Sequence, residues 1–436
     1  MQKMKIVWLC HFSNSIVREQ LPLSNNIYEN IIRKIFKKNK KSYRDFAPWV
    51  NNLILEFEKM EDIELHIIAP HKGLKKIKYT FILNNVYYHF FSPQLPILFE
   101  LIKKTTQKKE GEIFARNRRI IREIIKGIQP NIVNLIGAEN PYYATGALDI
   151  HNIPIFLSAQ TVYSNPDRMR LSGNVNKMIW DMEIQLHKHI QYMGCGGRMH
   201  YDLLKKNNPQ AIILKNFFPI QQPNKVKPLP KIYDFVFFAA GVALKKGIED
   251  ALEALAIVNR QREATLDIVG SCNPEYKSYL VQKIKKLGLE DRVCFHDYFP
   301  IHADMHQHIV QACYALLPVK LDVISGTIIE AILLDLPVVC YKTTGTPYLN
   351  SENPSVLIAE LNNVRELANH MLTLMESETL ARSLAKNAKE FVLKTFDNTT
   401  SAKRLLADYY AVLAHYHHGT PIPKELLFNT NEFPIY

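Results

Sequence analysis

No run of the 436-residue chain approaches the ~18 consecutive apolar residues that a membrane-crossing helix needs, so a spanning segment is not expected. The six cysteines, Cys10, Cys195, Cys272, Cys294, Cys313 and Cys340, form no C-x-x-C pair. Most stand inside apolar runs and read as reduced core thiols, which argues against a disulfide framework or a zinc knuckle. Short-period repeats, low-complexity tracts and an H-E-x-x-H helix are all missing. With no secretory leader at the N-terminus, the expected location is cytoplasmic, with peripheral attachment at the inner membrane face left open.

What is present is ordinary in bulk and uneven in placement. Hydrophobic residues make up 47% and charged residues 22%, which excludes disorder and leaves enough apolar material for real cores. The length is too great for one core, so two domains are expected. Of the net charge of +12, residues 1–220 carry 32 basic against 18 acidic side chains, and residues 221–436 carry 22 against 24. The whole excess therefore lies in the first half, with a dense run from Arg33 to Arg44. A one-sided positive field suits an anionic membrane surface or a phosphate-bearing lipid. Nucleic acid suits the charge equally well, but the basic residues lack regular aromatic interleaving and no binding module is recognisable.

Strand-like apolar runs alternate with helical patterns twice. In the first half, KIVWLCHF (5–12), ELHIIAP (64–70), YHFFSP (88–93), NIVNLIG (131–137) and IPIFLSA (153–159) read as buried strands, with helices at WVNNLILEFEKM and at 113–128. The proline-rich stretch after Phe217 reads as a linker over 218–231. A second series follows over 232–414, from YDFVFFAAG through GIEDALEALAIVNRQ, ATLDIVG, EYKSYLVQKIKKLGL, RVCFHDY, YALLPV and TIIEAILLD to LPVVCYK, and closes in helical pattern. Residues 1–217 and 232–414 are thus expected to form two Rossmann-like α/β domains, and the tail 415–436 to pack back on the first.

The chemistry concentrates between Pro318 and Pro347. A strand ends at Pro318, and the turn beyond it holds Asp322, Ser325, Gly326 and Thr327 before a helix containing Glu330. A glycine beside hydroxyl residues at a helix start exposes backbone N–H groups to an anion, and the helix dipole adds attraction. This reads as a phosphate seat, with Asp322 and Glu330 placed to accept hydrogen bonds from sugar or ribose hydroxyls.

Here LLPVKLDVISGTIIEAILLDLPVV resembles the acidic-x7-Glu motif of glycosyltransferase family 4, the group 1 glycosyltransferases of the two-domain GT-B type. TTGTP (343–347), GIEDALEAL, DIVGSCNPEY, LGLEDRVCFHDY and FVLKTFDNTTSAKRLLADYYAVL follow the family order, so that the resemblance spans residues 232–414. It implies sugar transfer from a nucleotide diphosphate sugar, UDP- or GDP-linked, with retained anomeric configuration. The acceptor it implies is a glycan or lipid-linked saccharide, as in surface polysaccharide or glycoconjugate synthesis. Glu330 would bind the donor ribose and Asp322 the transferred sugar. Backbone at Ser325, Gly326, Thr327 and Ile328 would hold the diphosphate together with Lys246, with Lys245, Gly241 and Gly345 bordering the donor. It implies no cofactor and no catalytic metal, since protein cations neutralise the leaving group. Three positions depart from the pattern: Asp322 replaces the commoner Glu, Val242 stands where the family carries arginine, and Gln160 stands where many members carry histidine.

Other signals compete weakly. His302 and His306 in HADMHQH share one helical face, but no third ligand can be named, so they and HYHHG (415–419) read as surface or capping histidines. GCGG (194–197) reads as a strand-end turn toward the cleft, because the spacing of a dinucleotide loop is absent. A sugar-nucleotide epimerase or a phosphorylase on the same architecture is the enzyme alternative.

Overall fold

The computed structural model describes residues 3–24, 45–93, 114–168, 175–220, 223, 226–299 and 301–432. The basic run Arg33–Arg44 lies outside them. The first sheet has eight strands in the order β3-β4-β2-β1-β5-β6-β7-β8, namely β1 (Met4–Leu9), β2 (Ile63–Pro70), β3 (Lys78–Leu83), β4 (Val86–Phe91), β5 (Ile132–Ile136), β6 (Ile155–Ser158), β7 (Tyr192–Cys195) and β8 (Ile212–Lys215). All its pairs are parallel except β3 with β4. Its helices are α1 (Ser15–Glu19), α2 (Pro48–Phe57), α3 (Ala115–Ile128), α4 (Pro141–Ala144), α5 (Lys177–His189) and α6 (Arg198–Asn207).

Alternation along β1 distributes two cores. Ile6 and Trp8 face the layer that holds Phe57 of α2, while Val7 and Leu9 face the layer that holds Ile121 and Ile125 of α3. A strand covered on both faces must be apolar throughout, which is why KIVWLC reads as one continuous run.

The second sheet has six parallel strands in the order β11-β10-β9-β12-β13-β14: β9 (Tyr233–Val242), β10 (Leu266–Cys272), β11 (Val293–His296), β12 (Ala312–Leu317), β13 (Val338–Tyr341) and β14 (Leu357–Ala359). Its helices are α7 (Ile248–Asn259), α8 (Pro274–Lys286), α9 (His302–Ile309), α10 (Gly326–Leu333), α11 (Val364–Glu376) and α12 (Glu378–Phe396). Local chemistry starts them: Asn273 caps α8 by accepting from the Glu275 amide at 2.9 Å, with Pro274 at the first helical position where its missing N–H costs nothing. This mixed α/β architecture of two parallel-sheet bodies matches the fold class expected from the alternating pattern.

Between β8 and β9 the described residues 216–220 and 226–232 form neither helix nor strand. The last long helix, α13 (Asn398–His418), inserts Leu405, Tyr409 and Val412 into the core that holds Trp8 and Phe57. Beyond it, Leu427 bridges antiparallel to Leu214, with Lys215 N to Leu426 O at 2.8 Å and Phe428 N to Ile213 O at 2.9 Å, so the C-terminal segment covers the β8 edge. Among the described residues no helix is long and apolar enough to cross a membrane.

The α13 attachment carries a buried polar lock. Tyr409 Oη accepts from Asn134 Nδ2 at 2.7 Å, and Asn134 Oδ1 accepts from Ser158 Oγ at 3.0 Å, with Asn134 and Tyr409 inaccessible to solvent. Tyr409→Phe leaves the Asn134 amide unpaired in the core, at a cost of about 1–3 kcal/mol. Urea unfolding should show the midpoint falling accordingly with the slope unchanged.

Candidate active site

The site begins with a turn that only glycine can make. β9 ends at Val242, a short 3-10 turn holds Leu244–Lys246, and Gly247 enters α7 at φ 78°. A Cβ on Gly247 would stand 1.9 Å from the carbonyl oxygen of Pro318, at the end of β12. Absence of a side chain thus lets the β9–α7 turn lie directly on the β12–α10 turn. A backbone bond from Lys320 N to Lys245 O at 3.0 Å fastens the two.

That approach delivers Lys246 to the helix start. Its Nζ lies 3.4 Å from Asp322 Oδ2 and 3.4 Å from Ser325 Oγ, and Ser325 Oγ is 3.1 Å from Thr327 Oγ1. Ser325 is the N-cap of α10 and its side chain caps no first-turn amide, so the amides of Gly326 and Thr327 are not closed off by a cap, while the Ile328 amide donates to the Ser325 carbonyl at 3.0 Å. A Cβ at Gly326 or at Gly241 would meet nothing within 4 Å. Both glycines border open space. Gly345, by contrast, is packed: a Cβ there would lie 2.6 Å from Val323, so the Thr343–Pro347 loop rests on the Asp322 turn, with Thr343 Oγ1 donating to the Val323 carbonyl.

The second acid is placed differently. Glu330 faces α9, where Oε2 receives His302 Nε2 at 3.0 Å and His306 Nε2 at 3.2 Å. Burial works against its ionisation, yet the two histidine bonds outweigh it and hold the carboxyl below its usual range. Its hydrogen bond to Glu330 in turn raises His302. Among the described residues no hydrogen bond reaches Oε1, which leaves one oxygen of a fixed, ionised carboxylate to accept from a ligand. His306 is buried, against the expectation of surface histidines, because α9 packs its i, i+4 face on α10.

Positive charge accumulates around Lys246. Lys245 beside it is half-buried, and burial together with the Lys246 and Arg168 charges pushes its ammonium below the ordinary lysine value. A cavity of about 580 Å³ lies between the two sheets, bounded by Asn165, Arg198 and Met199 on one side and by Asp322, Lys342 and Thr344 on the other. The halves touch where Gly197, the N-cap of α6, meets Val323; a Cβ there would be 2.2 Å from Val323 Cγ1. GCGG is therefore a strand-end turn at the cleft.

Three first-half residues at this cleft escaped the sequence reading. Arg168 stacks on Tyr163, with 4.8 Å from its guanidinium to the ring. Burial pushes His200 down to about 4 despite the pull of Asp322 across the cleft, which keeps its imidazole neutral. Burial, reinforced by Glu183, pushes Glu139 up to about 7, and its Oε2 has no hydrogen-bond partner among the described residues. The signal available was position, since each follows or flanks the carboxyl end of a strand; no local motif marks them.

Gly247→Ala tests the frame. The clash with Pro318 and the strained φ should cost roughly 2 kcal/mol or more and displace Lys246. A several-degree fall in Tm together with weakened binding of inorganic pyrophosphate is the expected outcome, read by calorimetry.

Residues 221–391 match the family model described as "Glycosyl transferases group 1". N-acetyl-alpha-D-glucosaminyl L-malate synthase of Bacillus anthracis is 24% identical over 168 residues, which are 38% of this chain and 43% of that protein. This aligned stretch thus spans less than half of the relative's length. The fold is similar to that of sucrose-phosphate synthase from Thermosynechococcus elongatus, with a TM-score of 0.68 at 13% identity, covering 94% of this chain and 100% of the other. It is also similar to Anabaena HepE in complex with UDP-glucose, with a TM-score of 0.62 at 15% identity, covering 92% and 98% of the two chains. Residues 221–391 are thus similar to the group 1 glycosyltransferases, and the two parallel-sheet bodies form a GT-B fold.

Proposed function

We propose that this chain transfers a sugar from a nucleotide diphosphate sugar, a UDP-sugar first, to a hydroxyl of a glycan or lipid-linked acceptor, with retention at the anomeric carbon. The observation that carries the reading is the convergence of Lys246 Nζ, Asp322 and Ser325 within 3.4 Å at the start of α10. Lys246 and the first-turn amides would stabilise the diphosphate as negative charge builds on the leaving group. Fixed charges already in place need no reorganisation in the transition state. Asp322 would orient hydroxyls of the transferred sugar, and Glu330 Oε1 would accept from the ribose diol. No metal ion is proposed for the transfer step; Lys246, with Lys245 beside it, would supply the positive charge.

Asp322 reaches one methylene less far than a glutamate at that position, and Val242 contributes no charge where the family carries arginine. More of the phosphate work therefore falls on Lys246. A UDP-sugar is favoured by the likeness to HepE, whose structure holds UDP-glucose. The acceptor would enter from the first-half side of the cleft, past Asn165 and Arg198. The basic excess of residues 1–220 supports peripheral attachment at an anionic inner membrane face and a role in surface polysaccharide or glycoconjugate synthesis.

A thermal-shift screen of UDP-, GDP- and ADP-sugars on wild type and Glu330→Ala tests the reading. One nucleotide sugar is expected to raise the wild-type Tm, with most of that rise lost in the variant. No stabilisation of the wild type by any of them, or an equal response from Glu330→Ala, contradicts it.

A further inference from the structure

On the opposite side of α9 from Glu330, a second group of ligating side chains lies apart from the donor site. Asp267, near the amino end of β10, is fully buried. Its Oδ2 sits 2.8 Å from His308 Nε2 and its Oδ1 sits 3.4 Å from His296 Nε2. The two imidazole rings are 4.3 Å apart, and one ligand atom from each of the three residues lies within 4.8 Å of the others. Three elements converge here: Asp267 comes from β10, His296 from the end of β11 and His308 from α9.

Two features set this group apart from an ordinary ion pair. Asp267 Oδ1 is buried without a hydrogen-bond partner among the described residues, and no lysine or arginine there is paired with the carboxylate. A carboxylate buried in this way is an arrangement that proteins resolve by protonation, pairing or a metal ion. The spacing also matches a cation. Ligands about 2.1 Å from a tetrahedral zinc lie about 3.4 Å from one another; the Oδ1 to His296 separation is 3.4 Å and the Oδ2 to His308 separation is 2.8 Å. Tyr233 Oη also lies here, 3.4 Å from His296 Nε2.

We propose that Asp267, His296 and His308 bind one divalent transition-metal ion of the zinc class, with two imidazole nitrogens and one carboxylate as protein ligands and water in the fourth place. The ion ties α9 to β10 and β11, and so fixes from behind the helix whose other face carries His302 and His306 to Glu330.

The test uses tag-free, chelator-stripped full-length protein. Zinc binding is measured by calorimetry, and cobalt(II) binding by visible absorption, on wild type, His296→Ala, His308→Ala and the control His302→Ala, each checked for wild-type circular dichroism. The expected result is at least one stoichiometric ion in the wild type and a raised Tm with zinc. The stoichiometry should fall by one, or the affinity at least tenfold, in both His296→Ala and His308→Ala, while this site persists in His302→Ala. His296 is part-exposed, so that variant keeps the experiment decisive if His308→Ala fails to fold. No stoichiometric ion in the wild type leaves a plain aspartate–histidine pair and overturns the proposal, as does unchanged binding in His296→Ala.

Discussion

The candidate site of this molecule depends on a backbone-to-backbone contact. Gly247 lies so close to the Pro318 carbonyl that any side chain would collide with it, and the turn after β9 can therefore rest on the turn after β12. Everything chemical in the second domain follows from that closeness. Lys246 precedes the glycine and is carried to Asp322 and Ser325; Lys320 is bonded to the Lys245 carbonyl. A lysine on a freely moving loop would lose much of its value, since rotamer entropy and water screening reduce an exposed ion pair to a fraction of a kcal/mol. Anchored at both ends, it becomes a preorganised cation in front of a helix start.

The two acids that sequence pairs by spacing are held by different means. Asp322 is partly open, bonded to the amide of its neighbour Val323 and balanced by Lys246. Glu330 is enclosed and kept ionised by two histidines from a separate helix. An ionised carboxylate with one oxygen fixed and the other unoccupied is suited to a hydroxyl pair, whereas Asp322 can turn with its ligand. On the first-half side, neutral His200 and Glu139, whose carboxyl is pushed up to about 7, add polar groups. Lys245 and Arg168 add positive charge around Lys246, and Arg198, Lys320 and Lys342 line the cavity wall.

The fold was legible wherever burial makes a strand apolar along its whole length. β1, β2, β5, β9 and β12 approach that limit, interrupted only by Lys5, Glu64, His66, Asn134 and Asp234, and α3 and α7 declare themselves by helical spacing. Residues 78–83 were not read as strand because β3 is an outer strand with alternating exposure, so its sequence, KYTFIL, carries no continuous run. β14 has three residues and carries too little pattern. In the site, the order of Asp322, Ser325, Gly326 and Glu330 along one turn and helix was local and readable. Partners distant in sequence were not. His302 and His306 were seen as a helical pair, but Glu330 as their common partner lies on another helix, and Arg168, His200 and Glu139 reach the cleft only through the packing of the two sheets.

The central claim is that Lys246, at the start of α10, holds a diphosphate. Calorimetric titration of UDP and UMP into wild type and Lys246→Ala tests it most directly, because the two nucleotides share base and ribose and differ by one phosphate. UDP should bind the wild type much more tightly than UMP, with that ratio shrinking tenfold or more in the variant while UMP affinity changes little. The same ratio in both proteins would contradict the claim.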